Sequence, residues 1–399
     1  MTVYERLGVR PIINAKGPAT RLSGGMMSPE VTAAMAEAAQ SCVDIAELQG
    51  RASAIIAEIT GAEAGYVTSG AAAGLLLGTA ACVAGLDLGR MSRLPDTTGM
   101  KSEIVMVRSQ RNFYDHAVRA AGVKIVEVGL PDRYAGAGVR DAEPWEIADA
   151  INDRTAAVFY VADRRARPAL GEVAKTAHAA GVPVLVDAAA QLPPARNLRR
   201  FIEEGADLVA FSGGKAIGGP QGSGFLCGKR DLVMSAALQQ LDLDIYWEQW
   251  QPPANLIDKT RLKGVPQHGI ARPCKVGKET IVGALTALQA FVAEGDAARH
   301  RRWLVLTREI AEGLRGLNDV SVTVTGEASS DEVPQVLLTL NGAASMTALD
   351  LIIRLQSGTP GIHADPTDVD RGIVAFNPIC LKSGEPELVA RAVKALLTR

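Results

Sequence analysis

Aromatic residues make up only 4% of the 399-residue chain, against 40 glycines and a hydrophobic fraction of 47%. So few rings leave little material for an aromatic-lined groove, whereas small apolar residues suit helices packed closely on a sheet. The five cysteines, Cys42, Cys82, Cys227, Cys274 and Cys380, contain no CxxC pair and no metal-ligand spacing. Free thiols in a reducing cytosol are expected, and neither a disulfide framework nor a metal site. Charge is also unbiased: 42 Lys and Arg face 44 Asp and Glu, a net charge of −2. No overall field draws such a chain to nucleic acid or to an anionic membrane, so neither partner is expected. The opening MTVYERLGVRP lacks the basic-then-apolar pattern of a signal peptide. Apolar stretches such as 71–85 are interrupted by glycine and too short to cross a bilayer. A cytoplasmic protein is the expectation. Internal repeats are missing, as are GxGxxG, Walker, GxSxG and HExxH patterns; Pro220 spoils a helix start in the glycine-rich 218–224 stretch.

What is present is an alternation. Short β-branched runs at 65–68, 103–107, 124–128, 156–161, 182–187, 207–211 and 224–227 are separated by Ala-rich helical patterns at 71–83, 116–121, 144–152 and 170–180. Continuous apolar strands with helices between them predict a mostly parallel sheet of seven strands covered on both faces. Gly122 and Gly181 stand where helices should end. From 279 onward the order changes to a helix, strands at 320–324 and 335–340, and helices near 348–356 and 385–397, an α+β pattern. The expected organisation is an N-terminal segment 1–50, a large domain 51–265 and a small domain 266–399. Trp247, Trp250, Pro252, Pro253 and Pro266 mark a connecting segment near its junction.

Three signals carry chemistry. In Val67-Thr68-Ser69-Gly70-Ala71, a strand turns through Ser-Gly into a helix. Such a turn aims free N–H groups and a helix dipole at one spot, which suits a phosphate, although Ser69 or Thr68 as an ordinary helix cap reads equally well in isolation. In Val184-Leu185-Val186-Asp187 an aspartate ends a buried strand at the sheet's carboxyl edge, where α/β folds place ligands. A buried carboxylate needs a cationic partner, and the protonated pyridine nitrogen of pyridoxal 5′-phosphate (PLP) is one; capping the next turn is the alternative. The small residues that follow, Ala188 and Ala189, leave room for a flat ring. In Phe211-Ser212-Gly213-Gly214-Lys215, a lysine framed by glycines follows a buried strand. Desolvation would lower its pKa, as a Schiff-base lysine requires, and Ser212 is placed to bond a phosphate. Asp187 and Lys215 are separated by one helix and one strand, so both emerge at the same edge on nearby strands. Together they point to PLP.

These segments, with Leu7-Gly8-Val9-Arg10-Pro11-Ile12-Ile13-Asn14, Tyr114-Asp115-His116 and Arg272-Pro273-Cys274-Lys275, resemble the SelA-like group of PLP enzymes related to selenocysteine synthase, in the branch containing D-glucosaminate-6-phosphate ammonia-lyase. The resemblance implies a fold-type I, aspartate-aminotransferase-like αβα large domain with a smaller α+β domain, and a homodimer or larger assembly. It implies Lys215 as the Schiff-base lysine, Asp187 as the pyridinium partner, and Ser69, Gly70, Ala71 and Ser212 around the phosphate. Relatives commonly stack a histidine or aromatic ring on the pyridine; Gln110 stands there in this chain, so the amide or a nearby ring takes that role. Arg272 is the candidate for a substrate carboxylate because guanidinium offers a bidentate fork, with Arg371 its rival. Asn14, Thr20 and Arg21 follow a family-like N-terminal turn that closes the site. His116 reads as a helix N-terminal histidine, with a catalytic acid as the alternative, and His363 as a loop histidine.

The cofactor implies a reaction. Lys215, freed by an incoming amino acid, removes the Cα proton; loss of a Cβ hydroxyl then gives a 2-oxo acid and ammonia. The expected enzyme is a lyase, a dehydratase or ammonia-lyase acting on a 3-hydroxy amino acid or amino sugar acid. Racemisation or epimerisation and aldol cleavage start from the same carbanion. Readings of another class are a tRNA-directed selenium transferase and a PLP-binding protein without catalysis.

Overall fold

The computed structural model describes residues 2–130, 141–342 and 344–398. The chain divides into two compact units. The larger holds Met27–Leu192 and Arg196–Gln289; the smaller holds Met1–Met26, Pro193–Ala195 and Ala290–Arg399. This partition differs from the boundaries expected at 50 and 265. The first 26 residues belong with the C-terminal residues because strand β1 (Ile12–Ala15) pairs in parallel with β11 (Gly361–Ala364). The junction falls after Gln289, inside a helical run, where no compositional break marks it.

Seven strands form the sheet of the larger unit: β2 (Ala64–Thr68), β3 (Glu103–Val107), β4 (Lys124–Val128), β5 (Thr155–Val161), β6 (Val184–Asp187), β7 (Leu208–Ser212) and β8 (Gly224–Gly228). Their spatial order is β2-β8-β7-β6-β5-β3-β4. Neighbours from β7 through β4 are parallel, while β8 runs antiparallel to both β7 and β2. Each expected strand is found within two residues at either end. The strands β2, β3 and β8 are buried at every position, which is why their sequences read as continuous apolar runs rather than alternating ones.

Helix Ala71–Ala84 is apolar on all sides and buried along most of its length. It lies on the sheet so closely that a Cβ on Gly78 would come 2.8 Å from Leu185 Cδ1. Glycine there is a condition of helix–strand contact. Strand β2 is an edge, and edges leave backbone groups open. Here Gln49, from helix Ile45–Thr60, closes part of it: its Nε2 donates to Val67 O at 2.8 Å and its Oε1 accepts from Val67 N at 3.0 Å. Ser53 Oγ accepts from Gly65 N one pleat earlier.

The smaller unit has β1 with β11 and an antiparallel sheet of β9 (Val320–Thr325), β10 (Gln335–Leu340) and β12 (Ile373–Phe376), in the order β12-β10-β9. Its core joins Val336, Leu338, Val374 and Phe376 to Leu351 of helix Ala348–Ser357 and Val389 of helix Glu385–Leu397. The run Lys278–Gly313 is long and apolar enough by length and composition to cross a bilayer. It is broken at Gly295, whose φ of +70° is not helical, and Ile281, Ala284, Leu288, Phe291 and Trp303 along it are buried.

Candidate active site

All the parallel strands of the large sheet finish at one edge, and the ends of β2, β6 and β7 bring three features there. The first is Asp187. Val184, Leu185 and Val186 run fully buried through the sheet and carry Asp187 to its end, still only 8% exposed. The chain beyond is tied down: Ala188 N donates to Ala210 O at 2.9 Å, and Ala189 N donates to Asp187 Oδ1 at 3.0 Å. Burial raises the Asp187 pKa above the ordinary carboxylate value, opposed by the Ala189 N–H and by the charge of Lys215.

Lys215 is the second feature. After β7 the chain folds back on itself: Gly213 N donates to Ser223 O, Gly219 N to Gly213 O and Gly218 N to Lys215 O, at 2.9, 2.9 and 3.0 Å. Gly214 lies against the returning turn, where a Cβ would meet Gln221 Cα at 2.5 Å. The lysine therefore springs from a small, closed loop. Burial lowers its pKa, with Asp187 pulling the other way. Each group feels the other's charge, and β6 pairs with β7 so that Asp187 lies opposite Ala210.

The third is the turn from β2 into helix Ala71–Ala84. Gly70 takes φ +92° and ψ 163°, a conformation open to glycine, and no side chain caps the helix. The first-turn N–H groups are thus left directed outward at the positive end of the helix dipole. Apart from its chain neighbours, no atom of the described residues lies within 4 Å of the place where a Gly70 Cβ would be, so there is room beside the turn. Gly224, at the start of β8, lies directly beneath. A Cβ there would stand 2.5 Å from Gly70 C and 2.6 Å from Ala71 N. Gly224 is paired with Thr68 on one side and Ser212 on the other, so the turn, Ser212 and the lysine loop share one support.

A buried carboxylate, a half-buried amine and an uncapped helix terminus, lined along one edge, match the three polar ends of PLP: pyridinium, aldehyde and phosphate. The open space at Gly70 and the burial that lifts the Asp187 pKa both fit a phosphate-bearing, cationic ring.

Other expected site residues fall as follows. Ser69 Oγ donates to Cys274 O at 2.7 Å, so the serine ties the turn to the segment after Arg272. Arg272 itself is ion-paired with Asp242 at 2.8 Å and lines a cavity of about 810 Å3 with Tyr66, Gln240 and Lys275. Gln110 is buried, its Oε1 accepting from Val161 N at 2.9 Å. Asn14, Thr20, Arg21, His363 and Arg371 all belong to the smaller unit. There Asn14 lies opposite His363 in the β1–β11 ladder, and Nδ2 of Asn14 donates to Gly17 O. Arg371 is exposed and paired with Asp368 at 3.2 Å. His116 is exposed beside Arg119. Gln49 was not legible beforehand: a glutamine in an amphipathic helix gives no sign that it braces a strand.

A family model for L-seryl-tRNA selenium transferase matches residues 19–245. A protein of a Streptomyces species named 5′-C-glycyluridine monooxygenase-decarboxylase is 33% identical, over 99% of this chain and 92% of its own. The D-glucosaminate-6-phosphate ammonia lyase of Salmonella typhimurium is 28% identical, over 99% and 97%. A solved structure of D-glucosaminate-6-phosphate ammonia-lyase superposes with a TM-score of 0.80 at 27% identity, covering all of both chains. The architecture is that of fold-type I PLP enzymes, with a seven-stranded, mostly parallel sheet and a smaller antiparallel one. The chain is a member of the SelA family, whose fold and PLP dependence it shares.

Proposed function

We propose that the protein is a PLP-dependent lyase that eliminates the Cβ hydroxyl of a 3-hydroxy amino acid or amino sugar acid, releasing a 2-oxo acid and ammonia. The observation that carries this reading is the buried Asp187 and half-buried Lys215 at the sheet edge that also carries an uncapped helix terminus, in a chain similar along its whole length to an ammonia lyase. PLP bound there supplies an electron sink for the charge left when a proton leaves Cα.

The chain's own groups do the rest. Lys215 holds the cofactor covalently at rest. With its pKa lowered by burial, the amine spends more time neutral and can take the Cα proton. Asp187 keeps the ring nitrogen protonated. Gly70, Ala71 and the residues that follow them offer backbone N–H groups to the phosphate, with Ser212 as a hydroxyl partner; Ser69 joins them only by withdrawing its proton from Cys274 O. Ala189 fixes the Asp187 carboxylate through its N–H. Arg272 is the first candidate for the substrate carboxylate; it can turn to it only by leaving Asp242, an exposed partner that competes weakly in water. Arg371, Asn14 and Thr20 are further candidates. We place the enzyme in the cytoplasm as a homodimer or larger assembly acting on a small molecule.

A second reading is favoured by the somewhat higher identity to the Streptomyces protein, whose name describes oxidative decarboxylation of a glycyl-nucleoside. Both readings begin with an amino acid bound to the same cofactor. They part in products: one yields ammonia and a 2-oxo acid without oxygen, the other consumes oxygen and releases carbon dioxide. Incubation of the PLP-loaded enzyme with D- and L-3-hydroxy amino acids and amino sugar acids, with and without phosphate and under argon or air, separates them. Ammonia and 2-oxo acid formed under argon support elimination. Carbon dioxide formed only in air, or recovery of only the mirror-image amino acid, overturns it. A selenium transferase would have to hold tRNA, for which a net charge of −2 offers no overall attraction.

A further inference from the structure

We propose that the cavity lined by Tyr66 and Gln240, beside strand β2, is a second ligand site and that it takes a small neutral polyol or sugar. This goes beyond the catalytic reading and does not depend on it. The lining belongs wholly to the larger unit, and none of Gly70, Asp187, Ser212 and Lys215 is part of it. At about 810 Å3 the cavity falls within the range of about 300–1,000 Å3 usual for small-molecule pockets.

The first ground is a pair of polar side chains at its floor. Tyr66 is 1% and Gln240 2% exposed, yet both line the cavity. Cys274 O can only accept, so the Gln240 atom facing it at 2.8 Å is Nε2, and Oε1 is turned away from that carbonyl. Among the described residues neither this Oε1 nor the Tyr66 hydroxyl has a hydrogen-bond partner, and both open onto the cavity that their side chains line. A buried tyrosine hydroxyl usually finds a partner. Phenylalanine and leucine would fill the same space, and a polar atom kept in their place costs stability unless something from outside bonds it.

The second ground is the charge around these atoms. Arg272 and Asp242 are paired at 2.8 Å. Asp44 spends its carboxylate on Ala46 N and Glu47 N, capping helix Ile45–Thr60. Lys275 and Asp244, of opposite sign, are exposed, and Asp244 stands 3.4 Å from His268. No surplus charge is left to select an ion. Burial raises the Tyr66 pKa, against the pull of Arg272, so the phenol stays a neutral donor. The floor thus offers one donor and one acceptor, both uncharged, while Ile45, Leu243 and Trp250 supply apolar walls. A hydroxyl is the group that both accepts from Tyr66 and donates to Gln240 Oε1. A carbon chain or ring bearing several hydroxyls brings C–H surface to the walls as well.

The test is a saturation-transfer NMR titration of D-glucitol into PLP-loaded wild type, Tyr66→Phe and Gln240→Leu. D-Glucitol has no carbonyl or amine to react with Lys215 or the cofactor. We expect saturable binding to wild type, weakened about tenfold in each variant, the worth of one hydrogen bond. Because the Tyr66 hydroxyl bonds no described residue, Tyr66→Phe leaves the native hydrogen bonds in place and is decisive. Equal affinity in that variant overturns the proposal whatever Gln240→Leu does, and so does a wild type that shows no saturable binding. D-Gluconate adds a charge to the same hydroxylated chain, and hexanol removes most of the hydroxyls. Binding about tenfold tighter for gluconate assigns the cavity to organic anions, tighter binding of hexanol assigns it to apolar ligands, and either result overturns the proposal. The visible cofactor band is recorded on every sample. Its loss in Tyr66→Phe puts the hydroxyl in the service of the cofactor and overturns the separation of the two sites, whereas its absence from wild type sinks the PLP reading and leaves the glucitol result standing.

Discussion

Replacing Gly224 by alanine tests whether the helix terminus at Gly70 is an anion cradle held in place by the sheet. The new methyl would stand 2.5 Å from Gly70 C, 2.6 Å from Ala71 N and 2.9 Å from Gly70 O. Carbon atoms rest at roughly 3.5–4.0 Å, so about 1 Å of movement is required. Neither side yields easily, because Gly224 is paired with both Thr68 and Ser212 and the obstacle is backbone rather than a mobile side chain. Overpacking typically costs about 1–3 kcal/mol, and two pinned backbones place this case near the upper end. The turn's N–H groups move with it. Loss of one charge-assisted hydrogen bond to phosphate, about 1.5–3 kcal/mol, weakens PLP roughly 10- to 100-fold. Urea unfolding of the cofactor-free protein reads the first effect, and titration with PLP followed by absorbance reads the second. Gly222→Ala is the control: nothing lies within 4 Å of its Cβ position, and stability should stay within about 0.5 kcal/mol. If Gly224→Ala is as stable as wild type and binds PLP as tightly, the cradle does not rest on β8 and the reasoning fails.

Lys215→Ala should abolish the visible band of the bound cofactor and lower turnover by at least about 10²–10⁴-fold, the range for a lost proton-transfer group; absorbance and single-turnover product analysis check it. Gln49→Leu leaves Val67 N and O unpaired inside the protein and should destabilise by about 2–6 kcal/mol in urea unfolding, from about 1–3 for each group. Burial raises the Asp187 pKa, so the folded, cofactor-free chain binds that proton more tightly than the unfolded chain. The stability this lends is present below the ordinary carboxylate range and is lost as pH rises through the raised value. Asp187→Asn should therefore stabilise the cofactor-free protein more at about pH 8 than at about pH 4, as thermal melts would show.

The large sheet was legible because most of its strands are buried on both faces, so β3 could be bounded from an apolar run alone; the edge strand β4, largely open to solvent, was marked by its β-branched residues instead. Asp187 and Lys215 were legible for a related reason. Each follows such a run, and the β-helix-β connection between them fixes that both emerge at one edge. The smaller unit was harder. Strand β1 is four residues long and finds its partner, β11, near the other end of the chain, a pairing that no local pattern announces. The domain junction lies within a helical run, where composition does not change. The partner of the Gln110 amide, Val161, lies 51 positions away, and no local pattern announces that contact.

The electrostatics of Asp187 and Lys215 argue that the site is built for a third charge. In the chain alone, burial pushes the acid up and the amine down, and their mutual attraction does not undo either shift. Two groups that served only to hold the fold would be expected to settle as a paired, ionised couple, since a buried charge without a full partner is destabilising. A cationic ring nitrogen placed against Asp187 would restore its ionised form, while covalent use of Lys215 removes the need to charge the amine at all. The same bound molecule relieves both shifts at once, so cofactor binding should stabilise the fold by more than either contact does when the other residue has been replaced.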